Sequence, residues 1–402
     1  MNKFIRKMTG RDVSEAHRVA TPLELFFDLV FVIAIASAAG GLHHSFAEHH
    51  ISAGLLNFGI AFFSIWWGWM NYTWFASAFD NDDTIYRIYT MLQMFGAIIM
   101  AIGIPDLFKE VPDMFIVVVG YAIMRVAMAL QWIRAARSNP QYRNVCLRYA
   151  VGIILVQILW ILRYILAPQE SFALISVVVL MFCELLVPLL AGRTPWHPHH
   201  IAERYGLLVI IVLGEGLLGV SNTIKNVLAL EDGLYQIFFI GTGVIALIFV
   251  LWWLYFNQPY AHVLEQEVNN QHLKHSKRSS FFFAYLHFFI FASLASIGVG
   301  VSLVGDAFEP AIEGQHQVTM LYALRILSVT TSIYLFFVAV IRILTMGGSR
   351  QNYMGLLLVF LSPILCMIAI ETGLSATYTV WLGLLSPILM ILLYGKTTSK
   401  SH

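Results

Sequence analysis

The chain has 402 residues, of which 59% are hydrophobic and only 12% are charged, and its mean hydropathy is +0.75. A soluble globular protein carries about 25% charged residues, so this composition excludes a chain dissolved mainly in water and indicates a protein of the lipid bilayer. The net charge of +1 supplies no broad positive field, which argues against a nucleic-acid partner.

Twelve apolar segments follow one another along the chain. Each is long enough for a helix to cross about 30 Å of hydrocarbon with about 20 residues. The first six are Leu23–Leu42, Ile51–Ala78, Thr84–Ile104, Met114–Ile133, Asn144–Ile165 and Ser171–Ala191. The second six are Ile201–Ile224, Gln236–Asn257, Phe281–Val304, Thr319–Met346, Asn352–Ile370 and Ala376–Tyr394. The sequence therefore predicts an all-α, polytopic membrane protein with about 12 transmembrane helices.

The basic residues are distributed unevenly between the two sides of the predicted helices. With the N-terminus inside, nineteen of the 24 Lys and Arg residues fall in cytoplasmic segments. Outside lie Lys109, Arg163 and Lys225, whereas Arg125 and Arg325 fall within the membrane. Since basic residues are retained on the cytoplasmic side, we expect both termini there. Residues 1–20 lack the pattern of a cleaved signal peptide, so we expect the first segment to be retained.

The two halves of the chain resemble each other in order. WWGWMNY from Trp66 corresponds to WWLYFNQ from Trp252, and the intramembrane Arg125 corresponds to Arg325. Each half has six crossings, so such copies would be parallel repeats related by an axis normal to the membrane. We predict a cytoplasmic segment 1–20, a first six-helix repeat 21–195, a second repeat 196–396 and a tail 397–402.

Ionisable side chains interrupt the apolar segments: Glu24, Asp28, Arg125, Glu184, Glu215, His287 and Arg325. Each costs several kcal/mol in a bilayer unless it is paired or hydrated. One interpretation is structural: Glu184 and Glu215 oppose the two arginines in buried ion pairs that fix helix registration. The other is functional: Glu215, between Gly214 and Gly216, exchanges a proton with a water-filled cavity.

Two further polar motifs lie at the predicted cytoplasmic surface, near Glu24 and Asp28. The turn FDNDDTIYR supplies Asp80, Asp82, Asp83 and Arg87, and PWHPHHIAER supplies His200, Glu203 and Arg204. The i, i+3 spacing of His200 and Glu203 would suit a divalent metal. The alternative is that the acids cap helix starts. Because no tight ligand signature is present, we predict no metal and no other cofactor.

PLELFFDLVFV from Pro22, FDNDDTIYR and HIAERYGLLVIIVLGE from His200 resemble the bacterial low temperature requirement protein A family. The similarity runs from about Arg18 to Tyr394. It implies a multi-pass bacterial inner-membrane protein, named for a cold-growth phenotype. The signature positions that it implies are Glu24, Phe27, Asp28, Asp80, Asp82, Asp83, Arg87, His200, Glu203, Arg204 and Glu215.

The leading functional hypothesis is a secondary transporter, proton-coupled, for a small solute. In it Glu215 is the proton site, Arg125 or Arg325 is its counter-ion or a clamp for an anionic substrate, and Glu24, Asp28 and Glu203 form the cytoplasmic gate. Glu184 and Arg204 are further candidate residues for binding the substrate or the proton. The partners would be the lipid bilayer, protons and the solute.

Two other classes remain open at this point. A membrane-embedded enzyme would use the cytoplasmic acids and His200, but no catalytic triad, HExxH or phosphate-binding loop is present, so we expect no enzyme. A channel or a non-catalytic membrane sensor is the third class.

Overall fold

A computed structural model of the protein describes residues 6–12, 15, 18–166, 170–228, 237–269, 279–308 and 317–398. Within these ranges every regular element is helical and no strand is present. The α-helices, numbered in chain order, are α1 Pro22–Ala47, α2 Ile51–Phe79, α3 Thr84–Gly103, α4 Phe115–Ser138, α5 Arg143–Leu166, α6 Glu170–Ala191, α7 Pro198–Leu228, α8 Thr242–Phe256, α9 Tyr260–Asn269, α10 Ser279–Asp306, α11 Met320–Met346, α12 Arg350–Leu358, α13 Leu361–Glu371, α14 Ala376–Gly383 and α15 Leu385–Thr398. Short 3-10 turns cover Ile104–Phe108 and Pro140–Tyr142, and a π turn covers Ile237–Gly241.

Twelve helical stretches in the described chain are long and apolar enough to cross a membrane, which confirms the predicted fold class. Three of them join two α-helices each: Phe238–Asn269, Arg350–Glu371 and Ala376–Gly395. The eighth stretch extends past its predicted end at Asn257 to Asn269. The added part is helix α9, whose residues are too polar for hydropathy to have included them in the predicted span.

The helices carry their polar residues inward and their apolar residues outward, as α1 shows. Glu24 and Asp28 are buried, whereas Phe26, Leu29 and Ile33 are more than half exposed on the opposite face. This arrangement is the reverse of a soluble amphipathic helix. It is stable only where the outer solvent is apolar, which identifies the chain as a membrane protein.

The described chain divides into two compact units. Unit 1 contains residues 1–38 and 57–204, and unit 2 contains residues 39–56 and 205–402. One boundary between the units lies at residue 204, and the tip of the α1–α2 hairpin belongs to unit 2. The predicted segments 21–195 and 196–396 stay a prediction. The internal repeat stays a prediction.

In unit 1, α3 and α4 cross at small residues. A Cβ atom on Gly96 would lie 2.7 Å from the Gly120 carbonyl oxygen, so a side chain there would force the two backbones apart. In lipid the hydrophobic effect does not drive helices together, so the van der Waals packing that this close approach allows stabilises the contact.

The N-terminal segment is packed against one end of unit 1. Met8 is fully buried, the Gly10 N–H donates to Asn139 Oδ1 at 2.7 Å, and the Arg11 N–H donates to the Ala78 carbonyl at 2.9 Å. These bonds tie the segment to the ends of α2 and α4. Its polar composition therefore does not make it a free tail.

In unit 2, α7 and α10 meet at glycines, since a Cβ on Gly298 would lie 3.2 Å from the Gly216 Cα. His287 of α10 is fully buried, with its Nε2 2.9 Å from the Tyr255 hydroxyl and its Nδ1 2.6 Å from the Phe283 carbonyl oxygen. Both ring nitrogens are thus paired, as in a structural core histidine.

Candidate functional site

Helix α1 begins with a capping box. The Thr21 N–H donates to Glu24 Oε2 at 2.7 Å, and the Glu24 N–H approaches Thr21 Oγ1 at 3.3 Å. Pro22 occupies the first helical position, where its missing N–H would have no partner in any case. This local sequence fixes both the start of α1 and the position of the Glu24 carboxyl group.

Glu24 and Asp28 face His200 and Arg204, which lie at the start of α7. Both pairs have i, i+4 spacing, so the two members of each pair share one helical face. Arg204 donates to both oxygens of Asp28, from Nε at 2.9 Å and from Nη2 at 2.5 Å. Arg204 Nη1 and His200 Nε2 lie 3.2 and 3.1 Å from Glu24 Oε1. The structure therefore brings together four of the predicted site residues.

Aromatic side chains of α2 line the same region. Trp69 Nε1 donates to Asp28 Oδ1 at 2.7 Å. The Tyr72 ring stacks on Phe27 with centroids 3.8 Å apart and lies 5.8 Å from the guanidinium carbon of Arg204. The Arg204 charge is thus held between a carboxylate and an aromatic face, which attracts cations.

Arg18 and Asp80 enclose the site from outside the membrane helices. Arg18 Nη2 lies 3.8 Å from Glu24 Oε1 and donates to the Ala76 carbonyl at 2.9 Å. Asp80, just after α2, accepts a hydrogen bond at Oδ1 from the Asp82 N–H at 2.8 Å. Both side chains are buried, which is uncommon for charged residues.

Six ionisable residues form what we call the Glu24 cluster: Arg18, Glu24, Asp28, Asp80, His200 and Arg204. None is more than 8% exposed. Three carboxyl groups face two guanidinium groups, so with every acid ionised and the imidazole neutral the cluster carries one net negative charge. Because an uncompensated charge is costly in a low-dielectric interior, the cluster favours binding one proton.

Several polar atoms of the Glu24 cluster have no hydrogen-bond partner among the described residues. They are Glu24 Oε1, Asp80 Oδ2, Arg204 Nη1, Arg18 Nε and Nη1, and both ring nitrogens of His200. Buried polar atoms are seldom left unpaired, since each costs about 1–3 kcal/mol. Arg204 Nη1 and His200 Nε2 nevertheless lie within 3.2 Å of Glu24 Oε1 as charged contacts, so the atoms without such a contact are Asp80 Oδ2, Arg18 Nε and Nη1, and His200 Nδ1.

Asp80 is a member of the cluster whose pKa is raised above its ordinary value. The pKa of its carboxyl group is raised to about 6, mainly by burial and also by the neighbouring Glu24 carboxylate. The hydrogen bond from the Asp82 N–H and the charges of Arg18 and Arg11 oppose the shift. The proton that neutralises the cluster can therefore reside on Asp80.

A second buried network lies deeper in unit 1, around Glu184. Arg125 Nη2 donates to Glu184 Oε2 at 2.5 Å, Trp67 Nε1 donates to the same oxygen at 2.9 Å, and the Tyr121 hydroxyl donates to Oε1 at 3.0 Å. The acid is thus hydrogen-bonded from α2 and α4 at once. This geometry agrees with the structural interpretation, in which the ion pair fixes helix registration.

The other intramembrane pair that we expected does not form. Arg325 donates to Glu371 Oε1 at 2.6 Å, and both side chains are exposed, so Arg325 is not a deep partner of Glu215. The error arose because hydropathy does not reveal which face of a helix an arginine occupies. Glu215 is half-buried on α7 and makes no hydrogen bond or ion pair to any residue that the structure describes.

The acidic residues Asp82 and Asp83, in the turn between α2 and α3, have two different structural roles. Asp83 caps α3, since its Oδ1 accepts from the Tyr86 N–H at 2.9 Å, and it also pairs with Arg134. Burial opposes ionisation of Asp83, but bonds from Arg134 and from backbone N–H groups outweigh it and lower its pKa. Asp82 and Arg87 form an exposed ion pair at 2.7 Å. Apart from Asp80, this motif therefore serves helix capping and surface pairing.

His200 and Glu203 do not converge on one point. The His200 ring lies beside Glu24, whereas Glu203 Oε2 accepts from the Ala20 N–H at 3.1 Å. In the part of the chain that the structure describes, no three His, Cys, Asp or Glu side chains are grouped as metal ligands. The i, i+3 pair is therefore split between two different contacts.

Sequence reasoning missed Arg18, Trp67, Trp69, Tyr72 and Tyr121 as partners of the buried charges. A signal for the tryptophans was present in WWGWMNY, because an indole N–H inside the bilayer needs an acceptor. Trp67 and Trp69 stand two residues apart on opposite faces of α2. They reach different carboxylates, Glu184 and Asp28.

Comparison with known proteins agrees with this architecture. The sequence profile described as bacterial low temperature requirement A protein (LtrA) matches residues 19–387, so the chain belongs to that family. The chain is also 27% identical over 289 residues to the uncharacterized protein RA0937 of Rhizobium meliloti (strain 1021). That alignment covers 69% of this chain and 67% of the relative.

Proposed function

We propose that this member of the low temperature requirement A family is a proton-coupled secondary transporter of a small solute in the bacterial cytoplasmic membrane. The observation that carries the proposal is the charge of the Glu24 cluster, in which one added proton balances three carboxyl groups against two guanidinium groups. Such a group of residues offers a buried carboxyl group that can take up and release a proton, which a proton-driven carrier requires.

Proton uptake would alter the contact between two helices. Glu24 and Asp28 belong to α1, and Arg204, which pairs with both, belongs to α7. A proton on Asp80 removes a negative charge that acts on both Glu24 and Arg18, which changes the balance of charge around the Glu24–Arg204 contact, so the two protonation states favour different helix positions. Transport follows if the solute binds these positions with different affinity.

Glu215 supplies a second candidate proton site in unit 2. It stands in a membrane span, lacks a partner among the described residues, and has glycine on both sides. An ionisable residue inside a membrane span is by default a candidate functional site. The Glu184–Arg125 pair, in contrast, holds helices of unit 1 together and takes no part in proton exchange.

The test is solute-driven proton movement in proteoliposomes that contain a pH-sensitive dye. Pulses of amino acids, sugars, organic acids and amines are applied one class at a time, and one class should change the internal pH in vesicles with protein but not in empty vesicles. Asp80→Asn and Glu215→Gln should each reduce this proton flux at least tenfold, because each replaces a titratable carboxyl group by an amide of similar shape.

Asp106→Asn is the matched control, since Asp106 is a partly exposed carboxyl group outside the Glu24 cluster, paired with Lys109 at 2.5 Å. Its proton flux should equal that of the unmodified protein. The proposal fails if no solute class moves protons, or if the flux survives in both Asp80→Asn and Glu215→Gln.

A further inference from the structure

The N-terminal segment lies over the end of unit 1 that holds the Glu24 cluster. We call its described residues, 6–12, 15 and 18–20, the N-terminal strap. None of them belongs to a helix or a strand. Segments without regular structure generally open at a lower free energy than the packed helices beside them. The strap is therefore the part of this end that can move most easily.

The strap reaches the Glu24 cluster through its last residues. Arg18 brings one of the two guanidinium groups of the cluster, and the Ala20 N–H donates to Glu203 Oε2 at 3.1 Å. Nearer the start of the strap, the Glu15 carbonyl oxygen lies 2.8 Å from Nε2 of His197, just before α7. The strap thus connects the ends of α2 and α4 with the start of α7, and the cluster lies beneath it.

The Arg18 side chain is incompletely satisfied in this position. Its Nη2 donates to the Ala76 carbonyl at 2.9 Å and lies 3.8 Å from Glu24 Oε1. Its Nε and Nη1 atoms are buried and have no hydrogen-bond partner among the described residues. A buried donor without an acceptor destabilises the state that buries it, whereas water would satisfy every N–H of a released guanidinium group. The contact is therefore held weakly enough to open.

The Asp80 carboxyl group would also gain from release of the strap. Its Oδ2 atom is buried and has no partner among the described residues, and the charges of Arg18 and Arg11, both on the strap, act on it. Once Arg18 leaves, three carboxyl groups face Arg204 alone. An uncompensated charge is costly in a low-dielectric interior, so release of the strap favours the entry of water and of protons.

We propose that the N-terminal strap is the moving part of the cytoplasmic gate: it seals the Glu24 cluster while bound and detaches to connect the cluster to the aqueous phase. The inference deepens the proposed function and rests on it, since a carrier opens its site to one side of the membrane at a time. The sequence assigned the gate to Glu24, Asp28 and Glu203. The strap contacts the first and the last of these.

The test measures how fast a thiol beneath the strap reacts with a polar maleimide. Ser77 is fully buried at the end of α2, between Ala76 and Ala78, whose carbonyl groups accept bonds from the strap. Ser77→Cys is placed in a variant whose three native cysteines are replaced by alanine, and the full-length protein is labelled in detergent.

Met8→Ala should loosen the strap, because Met8 is its fully buried apolar anchor. A thiol that reacts only when the strap is open is labelled in proportion to the open population, so the rate at Ser77→Cys should rise by about tenfold. Thr9→Ala is the matched control, since the Thr9 side chain is exposed and next in sequence. It should leave the rate unchanged.

A protein that retains Cys366 as its single cysteine reports on general unfolding, since this thiol is buried in unit 2. Met8→Ala should not change its labelling rate. The proposal is overturned if Ser77→Cys reacts equally fast with Met8→Ala and with Thr9→Ala, or if Met8→Ala accelerates Cys366 as much as Ser77→Cys.

These rates are measured without any solute, so they separate the gate from the transport that it would serve. The expected rates together with an absence of solute-driven proton movement would support the strap as a cover of the cluster and refute the proposed transport. Proton movement together with unresponsive rates would refute the strap as the gate and leave the proposed transport standing.

Discussion

Asp80 lies outside the membrane helices, and burial opposes the ionisation of its carboxyl group. It is 3% exposed, its Oδ2 atom has no partner among the described residues, and its pKa is raised from 3.8 to about 6. A raised carboxyl pKa means that the folded state binds the proton more tightly than the unfolded state. The group therefore lowers the free energy of unfolding progressively as the pH rises from about 4 to about 6, and the full loss persists above that range.

Asp80→Asn should remove this penalty. A difference of about two pKa units corresponds to about 3 kcal/mol at pH 8, so the variant should unfold at a higher temperature than the unmodified protein at that pH. Asparagine Oδ1 can still accept the bond from the Asp82 N–H. Differential scanning fluorimetry in detergent at pH 4.5 and pH 8 measures the effect.

At pH 4.5 the difference between Asp80→Asn and the unmodified protein should shrink to about 1 kcal/mol, because the native carboxyl group is then mostly protonated while the unfolded one, with its ordinary pKa of 3.8, is still largely ionised. Asp106→Asn, outside the Glu24 cluster, should show no comparable gain at pH 8. An equal gain at both pH values would indicate a packing effect and would contradict the raised pKa.

At the same scale, the sequence predicted that Glu24, Asp28, Arg125 and Glu184 would be buried but not how they pair. The i, i+4 spacing of Glu24 and Asp28 placed them on one face, and the structure adds Arg204 as their shared partner. Which charged residues pair depends on which helices are neighbours and how they are rotated. The spacing of residues along one segment of the sequence determines neither. For that reason Arg325 was expected deep in the membrane and instead pairs with exposed Glu371.

At the scale of elements, length and hydropathy were sufficient to predict the spans, but not their interruptions. Residues 352–370 are continuously apolar, so the hydropathy of that segment gave no sign of a break. The break arises because Pro363 cannot donate to Val359 and Ser362 finds a partner in the adjacent span. Such a contact between spans is a tertiary effect that a single segment does not encode.

The N–H groups of Ser362 and Ser386 each donate to the hydroxyl oxygen of the other residue, at 2.8 and 2.7 Å, and these reciprocal serine bonds between two spans should carry measurable stability. Ser386→Ala leaves the buried Ser362 N–H and the Leu358 carbonyl without their partner, at a cost of about 1–3 kcal/mol in the free energy of unfolding. The unfolding temperature of the variant in detergent measures the loss. Ser296→Ala is the control, since that buried hydroxyl donates only within its own helix, to Ala292.

Ser296→Ala should change the unfolding temperature by much less than Ser386→Ala. If the two variants are equally stable, the serine bonds between the two spans contribute no more stability than a hydroxyl bonded within its own helix. That result would contradict the inference that these bonds stabilise the contact between the spans.

At the scale of the whole molecule, unit 1 places the Glu24 cluster at one end of its helices. Arg18, Asp80 and His200 lie near the start of α1, the end of α2 and the start of α7, and the N-terminal segment is bonded to the same end. Most basic residues of the chain are predicted on this side, so a proton reaching the Glu24 cluster from here would come from the cytoplasm.

The side of the membrane can be tested with single cysteines in a variant whose three native cysteines, Cys146, Cys183 and Cys366, are replaced by alanine. Glu110 precedes α4 and Arg137 lies near its end, and both are exposed. Because the loop after α4 is rich in arginine, an impermeant maleimide should label Glu110→Cys in intact cells but Arg137→Cys only after permeabilisation. The reverse pattern would place the Glu24 cluster on the outer side, where the proton driving uptake would enter it directly.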